Sequence, residues 1–219
     1  MTRAVLFDLD GTLVQYRRSP GEVLDRSYDR LGVDPVFPVE AYYDRYDEFA
    51  ERASSMRELR RECFAALAAE RGRSPSLGRE IAAAFDHERD QSNVEPLSGV
   101  RPMLDSLAER YALGVVTNGA RDAQLTKLDA TGLGQYFDTV VVAGDDCEPK
   151  PAVAPFEMAL ADLETKPERA VHVGDSPGTD IAGGAAAGLD TVLVAPEPEE
   201  STATYVVSSP AALRSPPWE

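Results

Sequence analysis

Lysine is nearly missing from this 219-residue sequence: of its 22 basic residues only Lys127, Lys150 and Lys166 are lysines, and the rest are arginines. Cysteine is equally scarce. Cys63 and Cys147 are too few for a disulfide framework, which points to a reducing compartment. Positive charge is outnumbered, with 38 acidic side chains giving a formal net charge of −16. Nucleic-acid binding and attachment to a membrane surface are therefore not expected, since both need basic patches. Long apolar runs are absent as well. The first, Ala4–Phe7, is stopped by Asp8 and is too short for a membrane span or a signal peptide, so a cytoplasmic protein is expected.

Hydrophobic residues make up 43% of the chain, enough to build a sizeable core. The acidic surplus with little lysine resembles proteins of salt-loving organisms, in which concentrated salt screens the repulsion between carboxylates. Short, nearly continuous apolar runs at Ala4–Phe7, 113–116, 140–143, 171–173 and 191–194 read as strands buried on both faces, with Tyr205–Val207 as a sixth at the edge. Between them lie helical patterns. Val100, Met103, Leu104 and Leu107 fall at i, i+3, i+4 and i+7, as do Phe156, Ala159, Leu160 and Leu163, and 177–187 is a small, alanine-rich stretch suited to close packing. Strands alternating with helices predict a doubly wound, Rossmann-like parallel α/β sheet.

One segment breaks the alternation. Residues 16–93 show helical spacing without a convincing strand, punctuated by turns at Gly32-Val33-Asp34-Pro35 and Arg73-Ser74-Pro75. The expected organisation is an α/β core formed by 1–15 and 94–219, with an all-helical domain inserted at 16–93. Residues 196–204 read as an acidic loop.

Chemistry-bearing residues cluster after the strands. Leu6-Phe7-Asp8-Leu9-Asp10-Gly11-Thr12-Leu13 puts two carboxylates at the end of the first strand. Thr117-Asn118-Gly119 and Gly174-Asp175-Ser176-Pro177-Gly178-Thr179-Asp180 follow two others, and Lys150-Pro151 opens a helix beyond a further strand. Ligands of parallel α/β sheets gather at the carboxyl ends of the strands, so these groups should converge on one crevice.

This order of motifs resembles the haloacid dehalogenase-like hydrolase superfamily, in its phosphoglycolate phosphatase-like branch with a helical cap after the first strand. Asp8-Leu9-Asp10-Gly11-Thr12 matches its first motif, Thr117-Asn118 the second, Lys150-Pro151 the third, and Gly174-Asp175 through Asp180 the fourth. The resemblance spans the chain and implies a Mg²⁺-dependent phosphatase that hydrolyses a small phosphate monoester through an aspartyl-phosphate. It implies that Asp8 is the nucleophile and Asp10 the general acid and base. Lys150 would neutralise charge, and Thr117 with the backbone of Asn118 and Gly119 would cradle the phosphoryl group. Asp8, the backbone carbonyl of Asp10, and Asp175 would hold the metal, with Asp180 fixing its surroundings. The partner implied is a small phosphorylated metabolite; nothing in the pattern chooses between a monomer and a homodimer.

Other reactions of the same superfamily fit less well. Metal-independent haloacid dehalogenases lack the second aspartate, which is present here as Asp10. Phosphonate hydrolases need a cap lysine, and 16–93 contains none; sugar phosphomutases need basic cap residues for a second phosphate, a role left to arginines. A non-catalytic binding protein would not need Asp8, Asp10, Lys150 and Asp175 together. Arg17 and Arg18 near the cap hinge, and Arg57, Arg60 and Arg61 on a cap helix, could meet a substrate anion but read first as surface residues paired with nearby carboxylates; His172 reads as a packed strand residue and His87 as solvated.

Overall fold

A computed structural model describes residues 1–50, 52–53, 55–197 and 201–219; Pro198, Glu199 and Glu200, part of the expected acidic loop, lie outside them. The strands are β1 (Ala4–Phe7), β2 (Val14–Tyr16), β3 (Val94–Pro96), β4 (Ala112–Asn118), β5 (Thr139–Ala143), β6 (Ala170–Gly174), β7 (Asp190–Val194) and β8 (Tyr205–Val207). Six of them form one sheet in the order β5-β4-β1-β6-β7-β8, and each neighbouring pair is parallel. This is the doubly wound α/β arrangement that the alternating pattern predicts. The other two, β2 and β3, pair as a separate ribbon. At three residues each they are too short to leave a periodic signal, which is why the sequence shows no strand there.

Burial on both faces explains the unbroken apolar run of β1. Side chains alternate across a strand, so Val5 and Phe7 join one core cluster while Ala4 and Leu6 join another, all at 0% exposure. The chain divides into two compact units, Met1–Gln15 with Val94–Glu219, and Tyr16–Asn93.

The second unit is helical: α1 (Pro20–Leu31), α2 (Val39–Tyr43), α3 (Tyr46–Ala50), α4 (Met56–Glu70) and α5 (Pro75–Glu88). Ser19 starts α1 through a reciprocal capping box with Glu22, and Ser74 caps α5, each followed by a proline that needs no intrahelical donor. Phe64 sits at the centre of this unit, with Phe37, Tyr42 and Phe85 edge-to-face around it at centroid distances of 5.0, 5.3 and 5.7 Å. Arg60 is buried here and pairs with Asp86; Arg57 pairs with Asp86 and Arg61 with Glu62.

In the first unit, α6 (Val100–Ala108) packs Met103, Leu104 and Leu107 on the side of the sheet that holds Val5 and Phe7. It is followed by α7 (Arg121–Thr131) and α8 (Ala154–Asp162), whose Phe156, Ala159 and Leu160 cover the side that holds Leu6. A single wide helical turn at Pro177–Ile181 then leads into α9 (Ala182–Ala186). Lys150 does not open a helix as expected. It lies in the turn ahead of α8, and its peptide bond to Pro151 is cis. Among the described residues, no helix is long and apolar enough to cross a membrane.

Candidate active site

Three parallel strands end side by side, and each delivers part of the site. Beyond β1, the Asp8 amide donates to the Val173 carbonyl of β6 at 2.9 Å, which carries Asp8 one residue past the sheet. The chain then turns sharply: Leu13 and Val14 both donate to the Leu9 carbonyl, at 2.9 and 3.0 Å. Gly11 makes that turn at φ 81°, and a Cβ there would overlap the Asp175 carboxylate, so glycine lets the loop after β6 close over the loop after β1. Thr117 and Asn118 end β4.

Lys150 ties these loops together. Its side chain is buried, and its ammonium donates to Asp8 Oδ1 at 2.7 Å, to Asp180 Oδ1 at 2.6 Å and to the Val116 carbonyl at 2.8 Å. An ammonium has three protons, so all are committed; what Lys150 has left for an incoming anion is its charge. Asn118 holds the backbone of Lys150 at two points, donating from Nδ2 to its carbonyl at 3.1 Å and accepting from its amide at 2.8 Å. The Asn118 side chain thus joins two loops. The Gly119 amide donates to the Ala143 carbonyl at 3.1 Å, which ties it to the end of β5 and takes it out of the expected phosphate cradle.

Carboxylates outnumber cations at this point. Asp8, Asp175 and Asp180 each place an oxygen within 4.8 Å of the others. Burial pushes the Asp8 carboxyl above its ordinary range; Lys150 opposes the shift and the charge of Asp180 adds to it. Asp175 moves the same way, from desolvation first and then from Asp180, although its side chain reaches the surface. Burial also opposes the charge on Asp180, but the His172 ring and the Lys150 ammonium outweigh it and hold this carboxyl below its usual value. Burial works against Lys150 too, and the two facing carboxylates raise its pKa nonetheless. His172 is fully buried, with Nε2 3.2 Å from Asp180 Oδ1; burial lowers its pKa despite that contact. It is packed, as its strand position suggests, but it also braces Asp180.

Asp10 faces another way. Its carboxylate accepts from the Lys127 ammonium at 2.6 and 2.8 Å and from Gln124 Nε2 at 3.0 Å. Neither α7 residue stands out in the sequence. The available signal is the scarcity of lysine itself, since two of only three lysines are buried beside the motif aspartates.

The donor set suits a hard divalent cation. Its acidic groups offer only oxygen, and one ammonium does not balance three crowded carboxylates. A groove of about 590 Å³ opens beside them, running from Gly11 and Asp175 past Pro177 and Leu193 to Ser209.

The family model for haloacid dehalogenase-like hydrolases matches residues 5–194. The chain belongs to the haloacid dehalogenase-like hydrolase family. As a family member it is 33% identical to the ribulose-1,5-bisphosphate 5-phosphatase of Halopiger xanaduensis, over 98% of this chain and 93% of that protein. It is 34% identical to the pyrophosphatase PpaX of Bacillus velezensis, over 88% of this chain and 82% of that one. Its fold matches the magnesium-bound HAD-hydrolase YfnB of Bacillus subtilis with a TM-score of 0.81 and 23% identity, over 97% and 96% of the two chains. The family and fold implied by the four motifs are therefore those of the protein.

Proposed function

We propose that this hydrolase is a Mg²⁺-dependent phosphatase of small phosphate monoesters that works through a phosphorylated Asp8. One observation carries the reading: a buried Asp8 carboxylate at the end of β1, held by Lys150 at 2.7 Å and crowded by Asp175 and Asp180. In this role Asp8 attacks phosphorus and the bond to the leaving oxygen breaks. Asp10 gives that oxygen a proton, then removes one from the water that hydrolyses the aspartyl-phosphate. Thr117 binds a phosphoryl oxygen through its hydroxyl, and Lys150 keeps Asp8 oriented and offsets its charge. The side chains of Asp8 and Asp175 with the backbone carbonyl of Asp10 would hold Mg²⁺, and Asp180 would keep Lys150 in place. When bound, the ion supplies positive charge between two groups that otherwise repel, the nucleophile and the phosphoryl oxygens.

Phosphorylated sugars are the first substrates to try, because one relative aligned along nearly the whole chain is named for a sugar bisphosphate. The pairing of Arg57, Arg60 and Arg61 with carboxylates of their own unit supports hydrolysis over the mutase alternative, which would need such residues to hold a second phosphate. The division into units supports a core at 1–15 and 94–219 and a cap at 16–93. The direct test is release of p-nitrophenol from p-nitrophenyl phosphate. Turnover should require Mg²⁺, stop on chelation, return when the ion is restored, and vanish in Asp8→Asn. Undiminished activity in that variant would refute the assignment.

A further inference from the structure

We infer that Lys127 and Gln124 are positioning residues that act through Asp10 and Thr117; the inference rests on the phosphatase reading above. The two residues are one helical turn apart on α7, at i and i+3, and their exposures are 4% and 2%. A lysine is almost never so buried without a partner, and the partner here is a motif residue. Lys127 grips both oxygens of Asp10, at 2.8 and 2.6 Å, so the carboxylate cannot rotate without losing a short charge-assisted contact.

Gln124 connects Asp10 to the second motif. Its Nε2 lies 3.0 Å from Asp10 Oδ2, 2.7 Å from Thr117 Oγ1 and 2.9 Å from the Asn118 carbonyl. Because Thr117 Oγ1 accepts from Gln124, the threonine's own proton must point elsewhere. Among the described residues, the acceptor for that proton is the Asn118 carbonyl, 3.5 Å away and at the limit of a hydrogen bond. That proton is thus left for a phosphoryl oxygen. The α7 pair would fix the group that handles the leaving oxygen and water, and orient the hydroxyl that meets the phosphoryl group.

The pairing predicts which half-reaction fails when Lys127 is lost. p-Nitrophenolate leaves without a proton, so Asp8 can still be phosphorylated in Lys127→Met, but the attacking water lacks a well-placed Asp10. The full chain with Mg²⁺ and p-nitrophenyl phosphate should give a burst near one p-nitrophenolate per enzyme, then steady turnover slowed by about 100-fold or more. Adding Lys127→Met to Asp10→Asn should slow turnover no further than Asp10→Asn alone, the signature of one residue acting through another. Wild-type turnover in Lys127→Met, or losses that multiply in the double variant, would overturn the inference. If Lys127→Met does not fold, as judged by circular dichroism, Lys127→Gln takes its place in the same cycle, where non-additive losses support the inference and multiplying losses overturn it. Rapid-quench mass spectrometry of the wild type separates the two levels. If Asp8 never carries phosphate, the parent reading falls and this one with it; if it does and the cycle is multiplicative, only the α7 assignment falls.

Discussion

Gly174 has no room for a side chain, because a Cβ there would overlap the side chain of Asp180. Asp180 cannot retreat freely: Lys150 and Ser176 hold its two oxygens at 2.6 and 3.1 Å, and His172 backs the first. Gly174→Ala is therefore expected to cost about 1–3 kcal/mol, typical of overpacking a tight site, and to cut turnover by displacing Asp180 and, through it, Lys150. Urea unfolding and p-nitrophenyl phosphate turnover check the two parts, and a variant with both intact would show that the network is slack. At this scale the sequence reveals residues whose type is itself the signal. Thr117 lies at the end of a buried strand, and Asp8, Asp10, Lys150, Asp175 and Asp180 lie in the segments that follow buried strands, where ligands of parallel sheets gather. His172, Gln124 and Lys127 carry no such mark. The histidine lies mid-strand, where burial alone explains it, and the α7 pair occupies ordinary amphipathic helix positions whose partners lie more than a hundred residues away in Asp10 or in the neighbouring second motif. Only the tertiary arrangement gives them a task.

The helical elements of Tyr16–Asn93 are held by two kinds of interaction of unequal size. Caps such as Ser19 satisfy amide groups at a helix start and contribute about 1 kcal/mol each. Phe64 is fully buried and touches three aromatic rings edge-to-face, so Phe64→Ala is expected to cost about 3–5 kcal/mol. Chemical denaturation of both variants, followed by circular dichroism, should show the phenylalanine loss several times larger. A comparable loss in Ser19→Ala would mean that the helices depend on their ends more than on their shared core. Legibility at this scale follows element length. Periodic spacing over twelve and fifteen residues reveals α1 and α4, and continuous apolar runs reveal β1, β4, β5, β6 and β7. The three-residue ribbon strands β2 and β3 escape because one turn of alternation cannot be told from a loop. The wide turn at Pro177–Ile181 reads in the sequence only as part of a small-residue helix.

A net charge of −16 acts on the molecule as a whole, through the summed repulsion of its carboxylates. Salt weakens that repulsion, but it also weakens favourable pairs such as Arg30–Glu88 and Arg79–Glu62. The magnitudes decide between them. Exposed pairs of this kind contribute about 0–1 kcal/mol each at best, and each carboxylate left without a basic partner feels every other within a Debye length. That length shrinks from about 30 Å at 0.01 M salt to about 3 Å at 1 M. The melting temperature should therefore rise with KCl across this range and level off once the screening length falls below the spacing between neighbouring carboxylates. KCl is preferable to a sulfate salt because sulfate stabilises folded proteins generally through exclusion from their surface. A melting temperature that falls steadily with KCl would mean that the arginine–carboxylate pairs outweigh the acidic surplus. The same field opposes the approach of a phosphate ester, itself an anion. At low ionic strength, added KCl should accordingly raise kcat/KM for a charged substrate before it raises anything else, because screening the repulsion speeds the encounter while leaving the buried contacts of Lys150 and Lys127 in place.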